Sequence, residues 1–421
     1  MTQTQHAQQP AYRWVILVAA CVIGFMLTGM RATLGNFLKS ITGELSWDRE
    51  TISLIAAINL WLSGLLQPFT GHIMDRFGGK WLFAISVSLY GLGVVLIGFT
   101  HTVWYMVAVY GVLIGAATAG SSISLSNVLV AQWFSARRRA LAISVNNAAV
   151  ALGRLALIYL SFQALTLYGW RASHIYLGAA ILIVTIPAAL LFPGHRTTTD
   201  TSASTVRQQP TVHSPLEVTH WSDSLRSLPL WQIMGGYFVC GMTVNLDMHF
   251  IPFATDHGYE QADAVVAQGT MALVIFFGAL LAGLVSDRIG RKNVLGLAYA
   301  LRAVAFATLL LWHHWLALYV FAILGGLSWL ATPPSVIALT GEIYGMRTLG
   351  TLGGVSLLAH QIGGGLSVWL AGKFYDLTGS YDISFTLATV ALLGASLVSF
   401  RIAERRYSIR YITPAPSAAS N

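Results

Sequence analysis

The sequence predicts an all-α membrane protein with twelve transmembrane helices in two six-helix, pseudo-symmetric halves. Three observations predict it. The chain is 55% hydrophobic and only 10% charged, whereas a soluble domain carries about 25% charged residues. Such a chain cannot cover a water-facing surface of its size. Residues 71–80 read GHIMDRFGGK and residues 283–292 read GLVSDRIGRK. Both copies carry Asp-Arg, then Gly, then a basic residue, and the second begins 212 residues after the first, half the chain length. An internal repeat at a fixed offset dictates architecture. Finally, twelve apolar stretches of about 20 residues, the length that crosses a bilayer, run from end to end.

In order, the spans are expected at the following places. Span 1 (14–38) opens on Trp14 and stops before Lys39. Span 2 (52–73) follows the charged Asp48-Arg49-Glu50 and runs into the first repeat copy. Span 3 (81–99) starts on Trp81, span 4 (104–130) on Trp104-Tyr105, and span 5 (141–165) after Arg137-Arg138-Arg139. Span 6 (175–192) follows Trp170-Arg171 and ends at Pro193. Residues 193–228 break the pattern. They are rich in Thr, Ser, Gln and Pro without helical periodicity, and are expected to be a largely disordered cytoplasmic linker. Spans 7 (230–253) and 8 (264–285) lead to the second repeat copy. Spans 9 (294–311) and 10 (316–337) flank Trp312 and Trp315, and spans 11 (352–371) and 12 (383–402) precede a polar tail. The domains are thus 1–192, the linker 193–228, and 229–421. Trp and Tyr recur at the span ends, as suits the headgroup level.

Orientation follows from Lys and Arg. With the N-terminus inside, 17 of the 24 basic residues fall in cytoplasmic segments, four (Lys39, Arg49, Arg171, Lys373) in outer loops, and Arg31, Arg154 and Arg302 within spans. This bias places both termini in the cytoplasm, and the expected location is the cell inner (plasma) membrane, multi-pass. The first 13 residues lack the apolar core of a cleaved signal peptide, so span 1 is expected to persist. The net charge of +8 is scattered beside apolar runs, which is topology information rather than a nucleic-acid face. Cys21 and Cys240 both lie in apolar runs, with no disulfide framework or metal-type spacing. Met26, Met30, Met242, Met248 and Met271 are explained by apolar packing more economically than by copper(I). No metal, cofactor or obligate protein partner is expected beyond the lipid bilayer. P-loop, H-E-x-x-H and G-x-S-x-G motifs are absent, which argues against an enzyme. A sensor would want a folded soluble domain, and the longest non-membrane stretch is the linker.

A charge at the bilayer centre costs about 2.5–3.5 kcal/mol on insertion scales, so ionisable residues within spans are functional candidates. Arg31 lies in the outer part of span 1, and its planar fork matches a carboxylate. It is either a substrate contact or a snorkelling or paired residue. Asp247 and His249 occupy the matching depth of span 7. The repeat offset carries Gly35 onto Asp247, one turn beyond Arg31, so Arg31 and Asp247 could face each other. Asp247 or His249 could couple transport to protons. Alternatively, Asp247 neutralises Arg31 and His249 caps a loop. Arg154 sits midway along span 5 after Asn146 and Asn147, as a substrate clamp or a static interhelical bond. Arg302, in span 9, reads as a structural pair or a snorkelling residue. His360 and Gln361 lie among the glycines of span 11, and Asn127 in the small, polar inner half of span 4. These either line a cavity or hydrogen-bond across tight helix contacts. The substrate-binding candidates are therefore Arg31, Arg154, Asn127, Asn147, His360 and Gln361, with Asp247 and His249 for proton coupling. Asp75, Arg76, Asp287 and Arg288 in the two repeat turns are expected to latch the cytoplasmic ends and gate access.

The paired turns resemble the loop signature of the major facilitator superfamily, G-x-x-x-D-R-x-G-[RK], which joins helices 2 and 3 and again 8 and 9. Further segments resemble its monocarboxylate transporter and oxalate–formate antiporter branch. They are GFMLTGMRATLGNFLKSI followed by ELSWDRETIS, the inner loop WFSARRRALA at 133–142, HFIPFATDHG at 249–258 and DLTGSYD at 376–382. The resemblance covers most of the chain and implies two rocking halves with substrate at the midplane. Arg31 falls where mammalian members carry a substrate-linked lysine. The branch's Asp and Arg, four apart in span 8, are here Ile275 and Ala279. Either the carboxylate-binding arginine is then at Arg31 or Arg154, or the substrate is not a small monocarboxylate. The function expected is secondary transport of an organic anion, a small carboxylate, by proton symport or anion exchange. The alternative is export of drugs or metabolites by proton antiport, against which the absence of a span-5 proline counts.

Overall fold

Lipid offers no hydrogen bonds, so a chain this apolar must satisfy its backbone within each spanning segment, and helices do so. The computed structural model describes residues 12–134, 136–193, 214–345 and 349–411, and all regular structure among them is helical. Twelve helices result. They are α1 (Tyr12–Leu45), α2 (Arg49–Phe77), α3 (Gly79–Ile97) and α4 (Val103–Ala131). The stretch Ala136–Leu190 folds back at Gly169, where φ is 72°, into α5 (136–168) and α6 (170–190). The second half gives α7 (228–256), α8 (Gln261–Ile289), α9 (Arg291–Leu311), α10 (Leu316–Tyr344), α11 (Leu349–Thr378) and α12 (Asp382–Phe400).

Nine stretches among the described residues are long and apolar enough to cross a membrane, one of them holding both α5 and α6. Helices α7 and α11 fall outside that group, diluted by Asn245, Asp247 and His249 in one and by His360 and Gln361 in the other. Residues 194–213 of the expected linker, the tail from 412 and Arg347 lie outside the described residues. The last part of that linker is seated on the second half. Ser214 Oγ donates to Tyr407 O at 2.7 Å, and Trp221–Arg226 forms a 3-10 turn leading into α7.

The repeat seen in the sequence is also a repeat of geometry. Helices α2 and α8 end on Gly78 and Gly290, with φ of 83° and 96°, a backbone region that side chains with a Cβ avoid. Gly29 of α1 abuts the α5 backbone at Gly153, and Gly241 of α7 abuts the α11 backbone at His360. A Cβ at either position would enter the partner's main chain, so these glycines set the closest crossings, as small residues do in membranes. Each half has its own apolar core. Ile16, Phe37, Phe83 and Phe192 belong to the first, and Leu230, Phe306, Phe321 and Phe385 to the second. The halves meet along two pseudo-equivalent pairs, α2 with α11 and α5 with α8.

Four helices are broken in mid-membrane, as two corresponding pairs. Helix α1 breaks between Arg31 and Leu34, and α7 passes through the 3-10 turn Leu246–His249. Helix α4 breaks at Ser121–Ser122, and α10 at Leu330–Ala331, where the following Pro333 and Pro334 supply no backbone donors. Freed backbone groups need partners at this depth. Thr33 Oγ1 donates to Met30 O at 2.8 Å, and Ser121 Oγ to Ala117 O at 2.7 Å.

Candidate functional site: the cavity between the halves

The broken helices converge on one cavity of about 270 Å³, to which both halves contribute. Paired interruptions at corresponding positions of two repeats are where a ligand site is expected in such architectures. Arg31, Arg154, Asp247, His360 and Gln361 all line the cavity. Five of the eight sequence candidates for binding and proton coupling thus meet in one place.

Arg31 is the last residue of the first segment of α1, at a helix C-terminus that favours a cation. Among the described residues it makes no hydrogen bond or ion pair, and it is only half-buried. Arg154 of α5 instead forms the cavity's ion pair, donating through Nη2 to Asp247 Oδ2 across the boundary between the halves. The expectation that Asp247 faces Arg31 is therefore corrected. Both line the cavity, but the carboxylate goes to α5 because the 3-10 turn at 246–249 reorients it. Gln268 Nε2 adds a hydrogen bond to the same oxygen at 3.1 Å. The pair's side chains are 15% and 8% exposed. Arg154 Nε and Asp247 Oδ1 are buried and unpartnered. Buried polar groups are seldom left so, and this pair holds unused capacity for a ligand or a proton.

The remaining candidates divide. Gln361 Nε2 donates to Ser63 Oγ at 3.2 Å, tying α11 to α2, and the His360 ring packs on Tyr237 with centroids 4.7 Å apart. His249 is fully buried outside the cavity lining, with Nδ1 3.2 Å from Tyr381 Oη and Nε2 3.2 Å from Val368 O. Asn127 and Asn147 do not reach the cavity lining. Asn127 Nδ2 donates to Asn147 Oδ1 at 3.1 Å, and Asn146 Nδ2 to Asn127 Oδ1 at 2.8 Å, stitching α4 to α5. This is the interhelical alternative left open by the sequence. Arg302 neither snorkels nor meets a carboxylate among the described residues. It is fully buried and donates to Ser328 O at 2.8 Å, Trp329 O at 3.3 Å, Thr243 Oγ1 at 3.2 Å and Cys240 Sγ at 3.3 Å. It thereby satisfies carbonyls freed by the break in α10.

Sequence reasoning missed a second polar junction between the halves. It lies at the end of the molecule far from the repeat turns. Arg49, opening α2, grips Asp256 at the end of α7 in a fork of 2.6 and 3.1 Å, donates to Tyr381 Oη at 2.8 Å and lies 3.6 Å over the Tyr375 ring. Asp376 of α11 accepts from the backbone N–H groups of Arg49 and Glu50 at 3.1 and 2.5 Å, capping α2 across the boundary. Trp369 Nε1 donates to Glu50 Oε1 at 3.0 Å, and Lys39 pairs with Asp256 at 2.6 Å. Burial raises the Asp256 carboxyl, but the bonds from Arg49 and Lys39 outweigh it and hold the group below its ordinary range. The signal was present, since the three charges stand in three of the family-like segments. At the repeat-turn end, Arg76 and Arg288 are exposed, and the side chains of Asp75 and Asp287 lie outside the described set. Helices α2 and α11 touch at Gly64 and Gln361, yet Gly71, Gly353 and Gly354 have no neighbour within 4 Å of an added Cβ. The two helices therefore part toward the repeat turns.

The family model for the Major Facilitator Superfamily matches residues 20–280 and 266–417. The chain is 26% identical over 396 residues to the uncharacterized MFS-type transporter YcxA of Bacillus subtilis (strain 168), covering 92% of this chain and 94% of that one. It is 23% identical over 400 residues to monocarboxylate transporter 13 of Rattus norvegicus, covering 93% and 90%. Among solved structures, a bacterial homolog of the human lysosomal transporter Spinster, inward-facing and unoccupied, superposes with a TM-score of 0.70 at 18% identity, over 97% of this chain and 100% of that one.

Proposed function

The chain belongs to the major facilitator superfamily, and from that premise we propose that it is a secondary transporter of a small organic anion, a carboxylate, moved by alternating access with proton symport. One observation carries the reading: Arg31 stands in a cavity between the halves without a described partner, beside an Arg154–Asp247 pair that is already neutral. The cavity thus holds one cationic charge to spare. A carboxylate on Arg31 cancels it, with the planar fork giving the geometry. The likeness to monocarboxylate transporter 13 over nearly the whole chain supports the same substrate class.

Asp247 is the proton carrier in this scheme. Deprotonated, it holds Arg154. Protonated, it releases the Arg154 fork to the substrate carboxylate, so proton and anion bind as a neutral load. His249 stands outside the cavity lining with both ring nitrogens engaged, so it links α7 to Tyr381 rather than coupling transport. We place the repeat turns and both termini in the cytoplasm, and the protein in the cell inner membrane, from the Lys and Arg bias. The parted end of α2 and α11 is then cytoplasmic, and the Arg49–Asp256–Asp376 junction is the outer gate, closed in an inward-open state.

The test is uptake of labelled lactate, pyruvate, oxalate, succinate and benzoate into proteoliposomes, with and without an inward proton gradient. Gradient-stimulated uptake of a carboxylate, lost in Arg31→Ala, supports the reading. Uptake only against preloaded anion replaces symport by exchange. No saturable uptake of any acid overturns the anion reading and favours export.

A further inference from the structure

The walls of the cavity narrow the substrate beyond its charge. Each amide side chain of the lining gives an N–H to the protein. Asn59 Nδ2 donates to Tyr110 O at 2.7 Å, Asn245 Nδ2 to Gly241 O at 2.9 Å, and Gln361 Nε2 to Ser63 Oγ at 3.2 Å. Apart from Thr28, His360 and the three charged residues, the rest of the lining is apolar or aromatic, with Leu60, Tyr110 and Val150 from the first half and Ile275, Trp329 and Leu330 from the second. Trp329 is a rigid wall. Its ring centroid lies 4.9 Å from the Arg302 guanidinium and 6.0 Å from that of Arg154, and its carbonyl is held by Arg302. Cations over an indole face fix its plane.

Size and charge point the same way. The 270 Å³ corresponds to about nine waters at about 30 Å³ each. A three-carbon acid would leave much of that space as water against apolar walls, which is unfavourable, whereas a single ring, for which about 150 Å³ suffices, takes up more than half of it and leaves the remainder to the carboxylate and its link. While Asp247 is ionised and holds Arg154, Arg31 is the uncommitted cation among the described lining residues, so a second negative charge bound in that state would be buried without a partner.

We propose that the cavity is built for a monocarboxylate with a flat, apolar, single-ring body, its carboxylate on Arg31 and its ring between the Tyr110 and Trp329 walls. The proposal rests on the anion-transport reading and names the substrate class within it.

Isothermal titration of the full-length protein in detergent with 3-phenylpropionate, lactate, phthalate and 3-phenylpropanol tests it. The ring-bearing monoacid should bind at least about tenfold tighter than lactate, the order of discrimination that added apolar groups give in an apolar pocket. The dianion and the neutral alcohol should bind at least about tenfold more weakly than the monoacid. Lactate or phthalate matching 3-phenylpropionate overturns the ring proposal while leaving anion transport standing. Equal binding of the alcohol, or no binding by any acid, overturns both. Trp329→Ala should bring 3-phenylpropionate down toward lactate, but loss of that ring also undoes the Arg302 contact. Leu330→Trp, which fills the cavity from a half-buried position, is therefore tested alongside. It should abolish the ring preference, and a preference that persists in Leu330→Trp places the ring elsewhere and sinks the proposal.

Discussion

Removing one charge of the Arg154–Asp247 pair should reveal how strongly the halves are joined at mid-membrane. With side chains 15% and 8% exposed, the two charges are largely withdrawn from water. Breaking a buried pair from one side leaves the other charge uncompensated and costs about 3–5 kcal/mol. The residual exposure, and the Gln268 amide that remains on the carboxylate side, put the expectation near about 3 kcal/mol for Arg154→Met or Asp247→Leu alone. The double variant removes both charges and should recover most of that loss, because the pair's desolvation penalty disappears with it. The coupling term, the two single losses less the small loss of the double, is then about 5 kcal/mol, above the usual range for contacting residues because each charge is the other's ionic partner. The assay is reversible unfolding of purified protein in mixed micelles, read through its tryptophans, for wild type, both single variants and the double. Additive losses, with the double variant worse than either single, would show that the two side chains do not depend on each other, and would refute the pairing across the halves.

Other outcomes follow from the same geometry. Arg31→Ala should abolish saturable anion uptake while insertion and thermal stability stay near wild type, since no described bond is lost; normal uptake kinetics would remove Arg31 from the site. Asp247→Asn should retain exchange but lose stimulation by an inward proton gradient, and a wild-type pH profile would rule Asp247 out as the proton carrier. Arg49→Gln removes the fork to Asp256 and should open the far end, measured as faster thiol labelling of a cysteine placed at Ser53, which is fully buried against Gly372 of α11; unchanged labelling would mean that the junction does not gate. The Asp256 carboxyl is held below its ordinary value of 3.8, so its contribution is fully present above that value and is lost only as pH falls below it. Junction strength should therefore be constant between about pH 5 and 8, and labelling that changes across that window relative to an exposed control cysteine, which corrects for thiolate formation, would contradict this. Arg302→Met takes from Trp329 O its described donor and leaves Ser328 O with the long bond from Ala331 N–H at 3.4 Å, and should cost about 1–3 kcal/mol in the same unfolding assay; no loss would mean that the α10 break needs no support.

Much of the site was legible because charge within an apolar run is conspicuous. Arg31, Arg154 and Asp247 stand out by their cost in lipid alone, and all three line the cavity. Asn127 and Asn147 carry no such signal. A small polar residue at a helix contact and one in a cavity look alike in sequence, and here the pair bonds to each other. Trp329 and Tyr110 were invisible as wall residues, because a chain with 13 tryptophans and 16 tyrosines gives no reason to single out either. The junction of Arg49, Asp256 and Asp376 escaped notice because each resembles an ordinary loop charge.

By itself the sequence determined that the chain crosses a membrane, that it does so in twelve helices, and that it consists of two related halves. Those properties depend on local quantities: apolar length, the distribution of Lys and Arg, and a repeated turn whose glycine must adopt a positive φ. The tertiary structure alone decided which charges meet. Asp247 lies 93 residues from Arg154 and in the other half, and whether it would turn to Arg31 or to Arg154 depended on the 3-10 turn in α7 and on how α5 docks beside it. Coulomb attraction falls with distance in space, not along the chain, so no pattern in the sequence could choose between them.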